Sequence, residues 1–228
     1  FVHFAVAAAR MALEDSGLQI TSENDERVGT YIGSGIGGLS IIEEQHSILI
    51  EKGPSRISPF LIPGIISGMG AGMTAILLGA KGPSSCVATA CAVGNNNIGD
   101  AYWVIKRGDT DAMITGGAEA SITPLGIAGF CAARTMSTRN DEPERASRPF
   151  ENGRDGFLMG EGSGILILEE LQSALARNAR IYGEITGYGA TTDAYHITSP
   201  APEHEGAARS MRMALAHAGL SPEDISYI

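Results

Sequence analysis

Basic residues are scarce in this chain: 16 Lys and Arg stand against 26 Asp and Glu, a formal net charge of -10 over 228 residues. So negative a surface repels polyanions and excludes a nucleic acid or an anionic membrane as the main partner. Cysteine is scarcer still, at 3. An odd count, with no secretory leader pattern at the start, favours a reducing compartment, the cytoplasm or a plastid stroma. The spacing of Cys86, Cys91 and Cys131 contains no CxxC-like pair, so a four-ligand metal site is not expected, and the reducing compartment disfavours a structural disulfide. One uncharged run, Pro59 to Ala80, imitates a membrane span, but its two prolines and five glycines suit a helix packed in a large core better than a bilayer span. No fixed-period repeat is present.

Glycine is abundant, at 30 residues, about twice the usual share of ~7%, and marks tight turns and close backbone contacts. Between the glycines, helical and strand-like patterns alternate. A helix Phe1 to Ser16, closed by Gly17, precedes a strand in RVGTYIGSG; a helix follows from Leu39 to Lys52. Then come a strand SSCVATA, a helix Cys91 to Arg107, a strand DAMITGGAE and an irregular stretch from Ala120 to Asp155. The strand GEGSGILILEE, the helix LQSALARNA, the strand IYGEITGYGATTDA, a helix from Gly206 to Ala218 and a strand-like ISYI complete the pattern. This is an α/β order, with sheet covered by helices. Because the chain opens without methionine inside a helical pattern and stops on ISYI, it is expected to be a fragment.

Gly33, Gly35 and Gly38 match GxGxxG between a strand and a helix, the dinucleotide fingerprint. The acidic ribose partner is missing from its place, since Glu43, Glu44 and Glu51 fall within or at the end of the following helix. A tight turn that lets other groups approach the backbone is the better reading. Cys86, in an alternating strand, reads as a small buried filler. Cys91 lies where a strand ends and a helix begins, facing the positive end of the helix dipole and its unpaired N–H groups. The dipole is worth about 0.3–2 kcal/mol against about 1.4 kcal/mol per pKa unit, so the helix alone activates a thiol only in part, and a nucleophile here needs partners. The residues alone leave open whether Cys91 is catalytic.

Histidine does not supply that partner by spacing: His3, His46 and His217 read as surface or helix-end residues, and His196 and His204 as loop residues, with His196 able to line a pocket. Arg154, Asp155 and Glu161 in RDGFLMGEG read as buried paired charge that fixes the fold.

The motifs TACAVG, GSGIGG, ISPF, GGAEASITPLGIAGF, AARTMSTRND, ASRPF, RDGFLMGEG and DAYHITSP occur in order along the whole chain. Together they resemble the β-ketoacyl-acyl-carrier-protein synthases, above all the elongating type II enzyme of bacteria and plastids. The resemblance implies a thiolase-like layered αβαβα fold, with a nearly complete N-terminal half over residues 1–180 and a truncated C-terminal half over 181–228. It implies Cys91 as acyl acceptor in a decarboxylative Claisen condensation with malonyl carrier protein, without cofactor or metal. Ile36 and Phe130 map to the acyl pocket, with Phe130 as a gate, and the segments around Gly35 to Gly38 and Phe60 to Leu61 could enclose a fatty chain. His196 and Thr198 map to the pocket mouth, and Arg56 and Arg134 to contacts with the acidic acyl carrier protein. A homodimer is implied, with DAMITGGAE resembling the strand that pairs across it. Val93 departs from the small or hydroxyl residue usual there. The family's catalytic histidines, the first in an Asn-Ala-His-Gly-Thr motif after a strand like ISYI, have no counterpart in these residues, so the chain alone is expected to be incompetent. A polyketide ketosynthase and a noncatalytic chain-length partner are the alternative readings.

Overall fold

Strict alternation along two strands builds the core. In β1 (Val28–Gly33), Val28, Thr30 and Ile32 are buried on one face, while Tyr31 packs on the other. In β3 (Ala112–Glu119), Ala112, Ile114 and Ala118 join the first cluster and Met113 joins Ala101 and Val104 in the second. A period of two therefore places one apolar set on each face of the sheet.

The computed structural model describes residues 1–228. In chain order the helices are α1 (Val2–Ser16), α2 (Leu39–Lys52), α3 (Leu61–Ile65), α4 (Met69–Leu78), α5 (Val93–Lys106), α6 (Pro124–Ala132), α7 (Leu171–Ala176) and α8 (Glu205–Ala218); the other two strands are β2 (Ser84–Ser85) and β4 (Gly162–Glu169). The sheet order is β2-β1-β3-β4, with β1 parallel to β2 and β3, and β4 antiparallel to β3. Helices α1 and α4 pack on one side through Ala5, Ala9 and Ala71, and α5 covers the other through Ala101 and Val104. Small residues at these contacts bring helix and sheet close together. Gly17 ends α1 at φ 67, as its place in the sequence predicts, and its N–H donates to the Glu14 carbonyl.

Two compact units divide the chain, Phe1–Glu170 and Leu171–Ile228. The first holds the sheet. The second holds α7, α8 and an intervening segment whose one regular element is the 3₁₀ turn Pro202–His204. There the strand expected in IYGEITGYGATTDA does not form. No other strand borders it, so its N–H and C=O groups have no ladder to join. Instead the glycines bring the segment onto α8, where a Cβ on Gly187 would collide with the Ala214 carbonyl and one on Gly189 with that of Ser210. The Tyr188 N–H donates to His217 Nδ1 at 3.1 Å. The terminal ISYI is likewise not a strand.

Four further expectations are corrected. The segment Pro59 to Ala80 is not one buried helix: it breaks into α3 and α4, leaves Phe60, Ile62, Ile76 and Leu77 exposed, and buries only Gly70, Ala71, Thr74 and Ala80. No helix is long and apolar enough to cross a membrane. SSCVATA is a strand only over Ser84–Ser85, because the Val87 N–H is taken by the Asn97 side chain rather than by β1. The stretch from Ala120 to Asp155 contains α6, which Thr123 caps by accepting from the Gly126 N–H, with Pro124 in the first turn. Finally, β3 is bordered by β1 and β4 on both edges, so DAMITGGAE cannot pair with a second copy; the outer strands are β2 and β4.

Candidate active site

Cys91 sits in a 3₁₀ turn, Ala90–Ala92, that leads directly into α5. Its thiol is free and exposed. The residue before it, Ala90, has φ 50, a left-handed conformation that a side chain rarely adopts and that marks a turn held by its surroundings. Those surroundings come from the asparagines of α5. Asn97, wholly buried, accepts from the Val87 N–H and donates to the Gly116 carbonyl, both at 3.1 Å, tying the approach to the turn onto β3. Thr89 Oγ1 donates to Asn96 Oδ1 at 2.6 Å.

Val93, one residue into α5, is accommodated by glycine. A Cβ on Gly33 would come within 2.6 Å of Val93 Cγ2, and one on Gly117 within 3.4 Å of Val93 Cγ1. The branched side chain thus fills space that Gly33 at the end of β1 and Gly117 within β3 leave, and the amino end of α5 seats closely on the sheet. The amino end of α5 thus adjoins the Cys91 turn, where its first N–H groups can hold a developing oxyanion.

Beside this turn lies the loop after β1. Glu119, at the end of β3, accepts from Ser34 Oγ at 2.7 Å through Oε1, and from the N–H groups of Gly35 and Ile36 at 3.0 and 3.1 Å through Oε2. Ser34 Oγ accepts from the Gly37 N–H at 2.8 Å. The donors that would cradle a pyrophosphate are engaged within the chain, which removes the dinucleotide reading of Gly33, Gly35 and Gly38. Glu43 is also occupied, accepting from the Leu125 N–H at 2.6 Å. Glu119 and Asn97 carry much of this geometry, yet the sequence reading singled out neither. The run Asn95, Asn96 and Asn97 just after the cysteine was the available signal.

The other expected residues fall in distinct places. Ile36 is the exposed side chain of the braced loop, which meets the Cys91 turn at Ala90. Phe130, half-buried at the end of α6, packs edge-to-face on Phe157 with ring centroids 5.2 Å apart. Arg56 follows α2 in a 3₁₀ turn, and Arg134 follows α6 at φ 57; both are exposed, and neither guanidinium forms an ion pair. His196 and Thr198 belong to the second unit, where His196 Nδ1 accepts from the N–H groups of Thr198 and Ser199 at 3.1 Å each. This histidine organises its own loop. In the first unit, His3 and His46 are exposed on α1 and α2.

Cys86 is half-buried rather than enclosed in a strand, with its sulfur over Gly68, and burial pushes its thiol pKa up. Arg154, Asp155 and Glu161 are not a buried charge cluster. All three are exposed: Arg154 donates to the Glu151 carbonyl, Glu161 accepts from the Ile122 N–H, and Asp155 accepts from Ser137 Oγ and the Thr138 N–H, which hold its carboxyl below the usual range.

Residues 1–174 match the model for the beta-ketoacyl synthase N-terminal domain, and residues 182–228 that for its C-terminal domain. The chain belongs to the beta-ketoacyl synthase family. Among curated relatives, the 3-oxoacyl-[acyl-carrier-protein] synthase 2 of Synechocystis sp. is 58% identical over 228 residues, which are 100% of this chain and 55% of the relative. The synthase 2 of Staphylococcus aureus is 54% identical, with 100% of this chain aligned to 56% of the relative. The chain thus spans about half the length of these relatives. Among solved structures, a type II polyketide acyl-carrier protein in complex with its ketosynthase bound to a hexaketide superposes with a TM-score of 0.94 at 34% identity, covering 100% of this chain and 57% of that one. A beta-ketoacyl synthase from Burkholderia phymatum gives 0.90 at 35% identity over 99% of this chain and 55% of that one. The α/β fold is therefore that of the ketosynthases, thiolase-like in its layering.

Proposed function

We propose that this chain is the acyl-accepting part of a 3-oxoacyl-[acyl-carrier-protein] synthase of fatty acid biosynthesis. The observation that carries the reading is Cys91, exposed on a strained turn at the amino end of α5, in a chain of this family. The Cys91 thiolate attacks the thioester carbonyl of an acyl carrier protein, the carrier thiolate leaves with a proton, and the acyl chain rests on Cys91. Malonyl carrier protein then loses carbon dioxide, and the electron pair of the broken C–C bond attacks the Cys91 thioester. Cys91 departs as thiolate, and the product is a 3-oxoacyl chain two carbons longer on the carrier. The first N–H groups of α5 stabilise the oxyanion in both attacks. This chemistry needs neither a metal nor a redox cofactor.

Ile36 and Phe130 line the acyl path, and the unpaired guanidinium groups of Arg56 and Arg134 meet an acidic acyl carrier protein. The two halves divide near residue 180. A homodimer forms through an outer strand of the sheet, and the location is the cytoplasm or a plastid stroma. Because the family's catalytic histidines have no counterpart among His3, His46, His196, His204 and His217, the 228 residues alone do not condense acyl groups. A polyketide ketosynthase is the second reading, supported by the TM-score of 0.94 to a polyketide ketosynthase complex; the higher identity of 58% to a synthase 2 favours fatty acid synthesis.

The test is condensation by the chain extended at both ends with the matching segments of the Synechocystis relative. Given acyl and malonyl carrier proteins, it should release one carbon dioxide per 3-oxoacyl product two carbons longer. An extended chain that folds yet yields no such product from any donor contradicts the proposal.

A further inference from the structure

Glu119 has no part in the chemistry above, yet it is the hub of the loop beside Cys91. Its carboxylate is half-buried at the end of β3 and lies 85 residues from Ser34 in sequence. It receives two backbone N–H groups and one hydroxyl, and through that hydroxyl the Gly37 N–H is also satisfied. A concave set of backbone donors is an anion cradle, here filled by the chain's own carboxylate. Bonds to an ionised acceptor are short and strong. The loop cannot swing away without leaving a carboxylate and buried Ser34 unpaired. Its other side meets the nucleophile's turn: a Cβ on Gly35 would stand 3.0 Å from Glu119 Oε2 and 3.2 Å from both the Cα and the carbonyl oxygen of Ala90. Carboxylate, loop and turn are in series, and Ile36 is the side chain the loop presents outward.

We propose that Glu119 is a positioning residue for the acyl site, bracing the loop of Ser34 to Gly37 against Ala90 so that Ile36 stands at a fixed place beside Cys91 and selects acyl chains by length. This role rests on the reading of Cys91 as acyl acceptor. It differs from tuning the thiol, because the carboxylate is turned into the loop's donors and acts through backbone position. It also predicts which substitution rescues. In Glu119→Gln one oxygen still accepts from Gly35 and Ile36 while the amide N–H₂ donates to Ser34 Oγ; Glu119→Ala leaves all three donors without an acceptor.

The experiment pairs two readouts. Amide hydrogen exchange on the 228-residue chain should show Gly35, Ile36 and Gly37 exchanging about 100-fold faster in Glu119→Ala, with Glu119→Gln near the parent and Ser34→Ala between them. In the extended chain, competition between short- and long-chain acyl carrier proteins should lose about tenfold in selectivity in Glu119→Ala, through KM rather than kcat, with iodoacetamide alkylation of Cys91 unchanged within about twofold. Should Glu119→Ala fail to fold, Ser34→Ala carries both readouts. Unchanged exchange, an equal loss for donors of every length, or a glutamine variant no better than alanine overturns the role. An unmutated extended chain that takes no acyl group overturns the acyl-acceptor reading and this role with it. Normal acylation whose selectivity ignores Glu119 overturns this role alone.

Discussion

The two turns that meet at Gly35 and Ala90 occupy equivalent places, each leaving a parallel strand on its way to a helix, yet they are built in opposite ways. In the turn after β1, the backbone donors close on Glu119, and the buried Ser34 relays the last of them. In the turn after β2, polar groups hold the turn from below through Asn96 and Asn97, while the Cys91 thiol stays free and exposed. The first spends its polar groups on rigidity; the second is supported from underneath and leaves its reactive atom open. A glycine signature therefore marks the scaffold here, and the exposed thiol lies in the neighbouring turn.

The comparison can be broken most severely at the thiols. Limiting iodoacetamide should alkylate Cys91 on the order of 100-fold faster than Cys86, whose burial limits access and raises its thiol pKa, as peptide mass mapping would show; equal rates would mean the second turn is not open. Next in size, Asn97→Ala leaves the Val87 N–H and the Gly116 carbonyl without partners and should lower stability by about 3 kcal/mol in urea unfolding, with loss of Cys91 selectivity. Gly33→Val drives a side chain into Val93 and the Val87 carbonyl, between the two turns, and should cost about 1–3 kcal/mol by the same measurement.

The smallest effect is electrostatic. Asp100, further along α5, lines a cavity of about 270 Å³ with Tyr31, Ser85, Trp103, Val104 and Arg107. Burial raises its carboxyl pKa, partly offset by Arg107. The folded state then binds the proton more tightly than the unfolded chain, so stability falls as pH rises from the unfolded carboxylate value, 3.8, through the folded one. Asp100→Asn should therefore raise Tm at pH 7 by about 1–2 °C, a gain that disappears below about pH 4. A gain that persisted at low pH would point to packing.

Much of this was legible in the sequence. The alternation of β1 and β3, the glycine that ends α1 and the bounds of α2 follow from periodicity and capping. The place of Cys91 between a strand and a helix was legible too, while the residues alone left its role open. What was not legible depends on distant partners. SSCVATA and IYGEITGYGATTDA have strand-like residues, but the first loses its backbone to Asn97 and the second has no neighbouring strand. The helix α6 was missed because its proline read as irregular, although Thr123 and Pro124 form a good amino-terminal cap. Glu119 was hidden because its partners lie 83 to 85 residues away. Arg56 and Arg134 are exposed, and His196 Nδ1 accepts from two N–H groups of its own loop, neither of which spacing could foretell.

The most direct test of the central claim is the site of acylation. The extended chain and its Cys91→Ala variant would be incubated with a long-chain acyl carrier protein and examined by intact mass and peptide mapping. The account predicts one acyl group per chain, carried on Cys91 and absent from the variant. An adduct on Cys86 or Cys131, or one that survives Cys91→Ala, would contradict it.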